Sequence, residues 1–263
     1  MYSPIDRIKM YLSYKKKAKS AFRLHSPFVF DFYMHVLHDK SHYSDYDTIE
    51  HARKELKKDK TILHITDYGA GSRVFDSNIR TVRDIAATSL KPKKYAQLFY
   101  RIVQYYKPQT ILELGTSLGI TTAYMAKAYP EAAVVTLEGC PEIAAVARKN
   151  FDTLDLDNID IILGNFDITL PQYLSQPTQL SLVYIDGNHR YTPTIDYFIM
   201  LLPHLENDAF LIFDDIHWSL EMEAAWLYIQ QHPDVTMTID LYEIGIVFIR
   251  KEKKEKEHFT LKF

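Results

Sequence analysis

The chain has 263 residues, 47% of them apolar and 25% charged, with a formal net charge of −3 and a single cysteine, Cys140. That length suits one large α/β core with an appendage, and one cysteine excludes both an internal disulfide framework and a cysteine-clustered zinc site. No stretch reaches the apolar length of a membrane span, and the opening MYSPIDRIKMYLSYKKK lacks the apolar centre of a signal peptide, so a soluble, cytoplasmic protein is expected.

Charge is uneven along the chain. Residues 1–60 carry 13 Lys and Arg against 8 Asp and Glu, a net of +5, which leaves −8 for the rest. The run Lys15, Lys16, Lys17 and Lys19 and the tail RKEKKEKEH (250–258) could touch nucleic acid or anionic lipid. Glutamates interleave the tail and the lysines sit in a helix-like stretch, so solvated faces are expected, with neither nucleic acid nor membrane as a partner.

In chain order, helices are predicted at about 4–20, 27–38 and 45–58, followed by a polar, irregular stretch over 67–92. From Lys94 the pattern is regular. Leu98, Phe99, Ile102, Val103 and Tyr106 fall on one helical face, and β-branched runs then alternate with helix-period segments. Strands are predicted at 110–114, 132–137, 159–163, 180–185 and 209–213, with helices at about 120–129, 141–153, 168–176, 191–205 and 219–231. Such alternation predicts a parallel sheet wound on both faces. The closing VTMTIDLYEIGIVFIRK (235–251) gives two strands whose link near Glu243 is too short for a crossover, so they pair antiparallel. The expected fold is a doubly wound, seven-stranded α/β sheet: five parallel strands and a terminal hairpin. Its expected domains are a helical extension (1–93), a catalytic core (94–251) and a charged tail (252–263).

Two glycine turns compete for a cofactor. TILHITDYGAGSR (61–73) has a strand-like run and glycines, but no second strand is read after it. TILELGTSLGITTAYMAKAYPEAAVVTLEG (110–139) supplies a strand, a turn bracketed by Gly115 and Gly119, a helix, and a second strand ending in Glu138, a carboxylate placed to grip a ribose diol. The spacing is GxxxG with Glu113 two residues ahead, unlike the GxGxxG of dinucleotide loops. A carboxylate there repels a pyrophosphate and suits a cation such as S-adenosylmethionine, which carries an ammonium and a sulfonium.

With this motif the sequence resembles the class I S-adenosylmethionine-dependent methyltransferases. The resemblance implies backbone around Gly115, with Thr116, Ser117 and Gly119 of the same turn, against the cofactor. It also implies Glu113 at the amino-acid end, directly or through water, and Glu138 at the ribose. GNFDI (164–168) follows the third strand, where members contact adenine. Phe166 and Asp167 are therefore the candidates, the alternatives being a core Phe and a helix-capping Asp.

LVYIDGNHRY ends the fourth strand with Asp186, and FLIFDDIHW ends the fifth with Asp214 and Asp215. Ligands of open α/β sheets collect at such strand ends, so the three carboxylates are expected to converge beside the methyl donor, Asp186 facing both. They suit a hard dication, Mg²⁺ first and Mn²⁺ next, unless Asp214 and Asp215 only cap a helix. His189 is the candidate base for a substrate hydroxyl. His217 is the other, although an anchor beside Trp218 is the expected role. DGNHRY with a downstream FDD resembles metal-dependent O-methyltransferases that act on macrolide sugars and, more distantly, catechol O-methyltransferases. The likeness spans about 94–250, and its pattern assigns the metal to the three aspartates and the base to His189.

The expected function is metal-assisted methyl transfer to a hydroxyl of a small molecule. Two alternatives stay open: an oxygenase holding iron through His189, His217 and an aspartate, and a non-catalytic cofactor-binding module. The Asp67 to Ser72 turn, with the N-terminal extension, is read as a lid over the substrate. Neither the acceptor nor the oligomeric state is legible, and a homo-oligomer stays open.

Overall fold

The alternation of β-branched runs with helix-period segments folds into an α/β architecture with a mostly parallel sheet of eight strands. This is a computed structural model that describes residues 2, 4–20, 24–66, 78–250 and 255–263. The Asp67 to Ser72 turn lies outside the described residues. The chain forms two units, His38–Gln176 and Met1–Leu37 with Pro177–Phe263. Among the described residues no helix is long and apolar enough to cross a membrane.

The helices are α1 (Pro4–Lys17), α2 (Pro27–Phe32), α3 (Asp45–Leu56), α4 (Val82–Thr88), α5 (Lys93–Tyr106), α6 (Ile120–Ala128), α7 (Pro141–Thr153), α8 (Phe166–Leu174), α9 (Tyr191–Leu201) and α10 (Leu220–Gln231). A π-helical turn, Tyr33–Leu37, extends α2. The strands are β1 (Ile62–His64), β2 (Ile79–Thr81), β3 (Thr110–Leu114), β4 (Ala133–Glu138), β5 (Ile159–Leu163), β6 (Leu180–Ile185), β7 (Leu205–Asp214), β8 (Met237–Asp240), β9 (Ile244–Phe248) and β10 (Glu257–Thr260).

In the unit His38–Gln176, β4 pairs in parallel with β3 on one side and β5 on the other. Helix α5 buries the stripe foreseen from its spacing, with Leu98, Phe99, Ile102 and Val103 fully inaccessible. Each such side chain contributes about 1.5–3 kcal/mol on leaving water. Tyr46, Ile49, Tyr100, Ala123 and Tyr124 belong to one buried cluster that joins α3, α5 and α6. The stretch after the first glycine turn was read as irregular and without a strand. It holds β2, paired antiparallel with β1, and α4, whose start is fixed by reciprocal Thr81 and Asp84 hydrogen bonds worth about 1 kcal/mol. Three residues of strand give too short an alternation to be recognised.

In the other unit the strand order is β10-β8-β9-β7-β6. β6 and β7 are parallel, while β9 runs antiparallel to both β7 and β8. The terminal hairpin is therefore as expected. Its turn contains Tyr242 at φ 74°, and Gly245 admits the Trp226 ring, which a Cβ there would meet at 2.6 Å. Among the described residues the larger sheet has eight strands where seven were expected. The segment read as charged tail supplies β10, parallel to β8, because Glu257 N–H donates to Thr236 O at 2.7 Å and Leu261 N–H to Asp240 O at 3.1 Å. Lys19 N–H in turn donates to Thr260 O at 2.8 Å, so the chain following α1 covers the edge that β10 would otherwise expose.

Candidate active site

The glycine-bracketed turn of the unit His38–Gln176 is built on two strands. Past the end of β3, the N–H groups of Gly115 and Thr116 both donate to Leu137 O in β4, at 3.0 and 3.2 Å. Gly115, Ser117 and Gly119 all take positive φ: 107°, 49° and 80°. At Gly119 the conformation and the space agree, since a Cβ would lie 2.5 Å from Cε1 of Phe151 in α7; only glycine fits. Thr116 and Thr136 share a hydroxyl hydrogen bond of 2.7 Å, and Asn150 Nδ2 donates to Leu118 O at 2.8 Å. The loop is thus held from three directions.

Two carboxylates flank this turn. Glu138, at the end of β4, accepts from Ser117 N–H through Oε2 and from Cys140 N–H through Oε1, both at 2.9 Å. These bonds fix the carboxylate beside the loop. Glu113 is fully buried in β3. Its Oε2 accepts from the Thr122 hydroxyl and, at 2.7 Å, from the Thr136 hydroxyl, while Oε1 has no hydrogen-bond partner. Burial pushes its pKa up to about 8 against the lowering pull of the two threonines, and the Glu138 charge raises it further. A buried, half-satisfied carboxyl is costly. Its chemistry fits the cationic cofactor foreseen.

Phe166 and Asp167 open α8. The helix cap is Asn165, whose side chain accepts from Asp167 N–H at 3.0 Å, so Asp167 is not the cap. Phe166 is only half-buried and Asp167 is exposed; neither belongs to the core.

The acidic strand ends lie in the other unit. Because Ile185 of β6 is in register with Phe213 of β7, Asp186 and Asp214 leave neighbouring strands at the same level. Asp186 Oδ2 accepts from Tyr184 Oη at 2.8 Å, and His189 Nε2 lies 3.5 Å from Asp186 Oδ1. The His189 ring also packs on Trp218, 5.7 Å between centroids. Asp214 is buried, and Asp215 holds φ at 53°, a left-handed conformation that few residues other than glycine, asparagine and aspartate tolerate. The α10 cap is Ser219, so neither Asp214 nor Asp215 caps that helix. Among the described residues, no group of three or more His, Cys, Asp or Glu side chains is gathered to hold a metal ion. The donors that Asp186, Asp214 and Asp215 offer have the chemistry of a hard-cation site, but the expected convergence of all three is not present as a formed cluster.

His217 stands apart from this chemistry. Its Nδ1 lies 3.0 Å from Glu223 Oε1 and its Nε2 2.9 Å from Asp240 Oδ2, and its ring stacks on Tyr242 at 5.5 Å. Burial alone would lower its pKa, yet the bonds and charges of Asp240 and Glu223 leave it raised. With both nitrogens engaged it anchors the loop after β7. That occupancy argues against both the iron-ligand role and the role of base. The sequence reading missed Thr122, Thr136, Asn150 and Asn165, since nothing local marks a threonine that will face a buried carboxyl from a helix or a neighbouring strand.

Residues 112–216 match the family model described as "Methyltransferase domain". A catechol O-methyltransferase of Niastella koreensis is 29% identical over 163 residues, 60% of this chain and 72% of that protein. One from Mycobacterium tuberculosis is 34% identical over 104 residues, 39% and 45% of the respective chains. In fold, the chain is similar to an O-methyltransferase from Bacillus cereus solved in complex with SAH, with TM-score 0.58 and 17% identity over 81% of this chain and 93% of that one. It is likewise similar to the SAH-bound methyltransferase PaMTH1 of Podospora anserina, with TM-score 0.60 and 13% identity over 95% and 98%. Residues 112–216 thus form a methyltransferase domain, and the chain is similar in sequence to catechol O-methyltransferases and in fold to O-methyltransferases.

Proposed function

We propose that the protein transfers a methyl group from S-adenosylmethionine to a hydroxyl of a small molecule with the help of a divalent cation, Mg²⁺ or Mn²⁺. The observation that carries the cofactor half is the buried, unpartnered Oε1 of Glu113 beneath a glycine turn already clamped to Glu138. In this reading the Gly115 to Gly119 backbone, with Thr116 and Ser117, bounds the cofactor. Glu113 meets its cationic amino-acid end, Glu138 accepts from the ribose hydroxyls, and Phe166 and Asp167 flank the adenine. Asp186 serves both the cofactor and the cation.

When bound, the cofactor supplies a methyl group activated by a sulfonium, and the cation supplies Lewis acidity. The residues do the rest. Asp186, Asp214 and Asp215 take the cation. His189, with Nε2 directed at Asp186, keeps Nδ1 as proton acceptor for the substrate hydroxyl. His189 would take the hydroxyl proton as the methyl group passes from sulfur to the substrate oxygen, the products being S-adenosylhomocysteine and the methyl ether. A vicinal diol of the catechol type is the first acceptor to test, because four relatives carry that name. Localisation in the cytoplasm is part of this proposal.

The test is calorimetric titration with S-adenosylhomocysteine, with and without Mg²⁺, followed by turnover assays on catechol and on sugar hydroxyls. Metal-stimulated methylation is expected. Turnover unaffected by a chelator would remove the cation from the reading, and no binding of S-adenosylhomocysteine would remove the cofactor.

A further inference from the structure

Helix α1 exposes apolar side chains on the side away from its packing. Tyr14 is buried against the rest of its unit and donates to Leu261 O. Ile5, Ile8 and Leu12 are 65%, 61% and 59% exposed. At the helical repeat these three fall within about 60° of one another, and Tyr14 lies about 180° from Ile5. Lys9 and Lys16 border the stripe on one side and Lys15 on the other, all exposed. Residues 1–20 hold six Lys and Arg and one Asp, a net of +5 in a chain whose net charge is −3.

We infer that α1 is an interfacial anchor that seats the protein on an anionic lipid surface. An apolar stripe bracketed by long cationic side chains is what a helix lying in the headgroup region requires: the aliphatic groups enter the acyl boundary while the lysines extend outward to phosphate. Charge complementarity selects the partner. A second copy meeting this one stripe to stripe would oppose two N-terminal segments of the same +5 charge, whereas an anionic bilayer attracts each lysine. The sequence reading assigned these lysines to a solvated face and expected no membrane partner. The exposure of the stripe beside them is what changes that assignment.

The test is flotation of the full chain with phosphatidylcholine vesicles and with vesicles in which phosphatidylglycerol replaces roughly a quarter of the lipid. The chain is expected to float only with the anionic vesicles and to be released by high salt. Ile8→Ser with Leu12→Ser should weaken binding about tenfold or more, and Lys15→Gln, Lys16→Gln and Lys17→Gln together about thirtyfold or more. Hydrogen exchange of the wild-type chain on anionic vesicles should show new protection in 5–17, a measurement independent of how the variants fold. A chain that stays at the bottom of the gradient with both vesicles would overturn the inference. So would serine variants that float as the wild type does, or a wild-type dimer that those variants dissociate, which would assign the stripe to a second copy.

Discussion

The Ser117 N–H donates to Glu138 Oε2 at 2.9 Å, so the glycine turn and the carboxylate twenty-one residues later hold each other in place. Preorganisation of this kind removes an ordering cost from binding. Glu138→Ala breaks two backbone hydrogen bonds to a charged acceptor, each worth about 1.5–3 kcal/mol. Affinity for S-adenosylhomocysteine should fall at least about thirtyfold by calorimetry. Binding indistinguishable from wild type would refute the ribose assignment.

Gly119→Ala combines two costs: about 1–2 kcal/mol for a side chain in the left-handed region and about 1–3 kcal/mol for overpacking against Phe151. Chemical denaturation should show a loss of about 2–5 kcal/mol. Adding Phe151→Leu should recover only the steric part, because the φ of 80° is unchanged.

Glu113 makes stability fall with rising pH. Its folded pKa, near 8, lies above the ordinary value of 4.5, so between those values the folded state holds the proton that the unfolded state has released. Stability therefore declines from about pH 4.5 to about pH 8 and is level above. Glu113→Gln should abolish that slope in denaturation curves. If an ammonium meets Glu113, cofactor binding near pH 7 should release close to one proton. Calorimetry in buffers of different ionisation enthalpy measures this, and the Gln variant should release none.

Asp215 separates backbone from chemistry. Asp215→Gly accepts φ 53° without strain, so its melting temperature should match or exceed that of the wild type, while metal-stimulated turnover should fall at least about tenfold. Asp215→Val should melt lower, by about 1–2 kcal/mol of stability. Full Mg²⁺ response in the glycine variant would take Asp215 out of the cation site.

His217→Leu should destabilise by about 2–3 kcal/mol in denaturation, leaving Glu223 and Asp240 without the imidazole between them. The estimate sits below the usual cost of breaking a buried pair because Glu223 is partly exposed. His217→Gln, which retains one donor and one acceptor, should lose less.

The Gly115 to Gly119 turn was legible because a bracketed glycine loop between a β-branched run and a helix is a local pattern, and Glu138 could be found by counting along the next strand. Asp186, Asp214 and Asp215 were legible as strand-end carboxylates for the same reason. What the chain's order could not reveal was partnership: that Thr122 and Thr136 both face Glu113, that Asn165 rather than Asp167 caps α8, that His217 is held between Glu223 and Asp240, and that EHFT at 257–260 pairs with β8. Periodicity and turn chemistry are properties of neighbours along the chain, so the α/β class, the terminal hairpin and the glycine turn could be read from local order alone. Hydrogen-bond satisfaction and exposure depend on residues tens to hundreds of positions apart. Only the tertiary structure could therefore decide that Glu113 is buried with one oxygen unpaired and that the stripe of α1 faces outward.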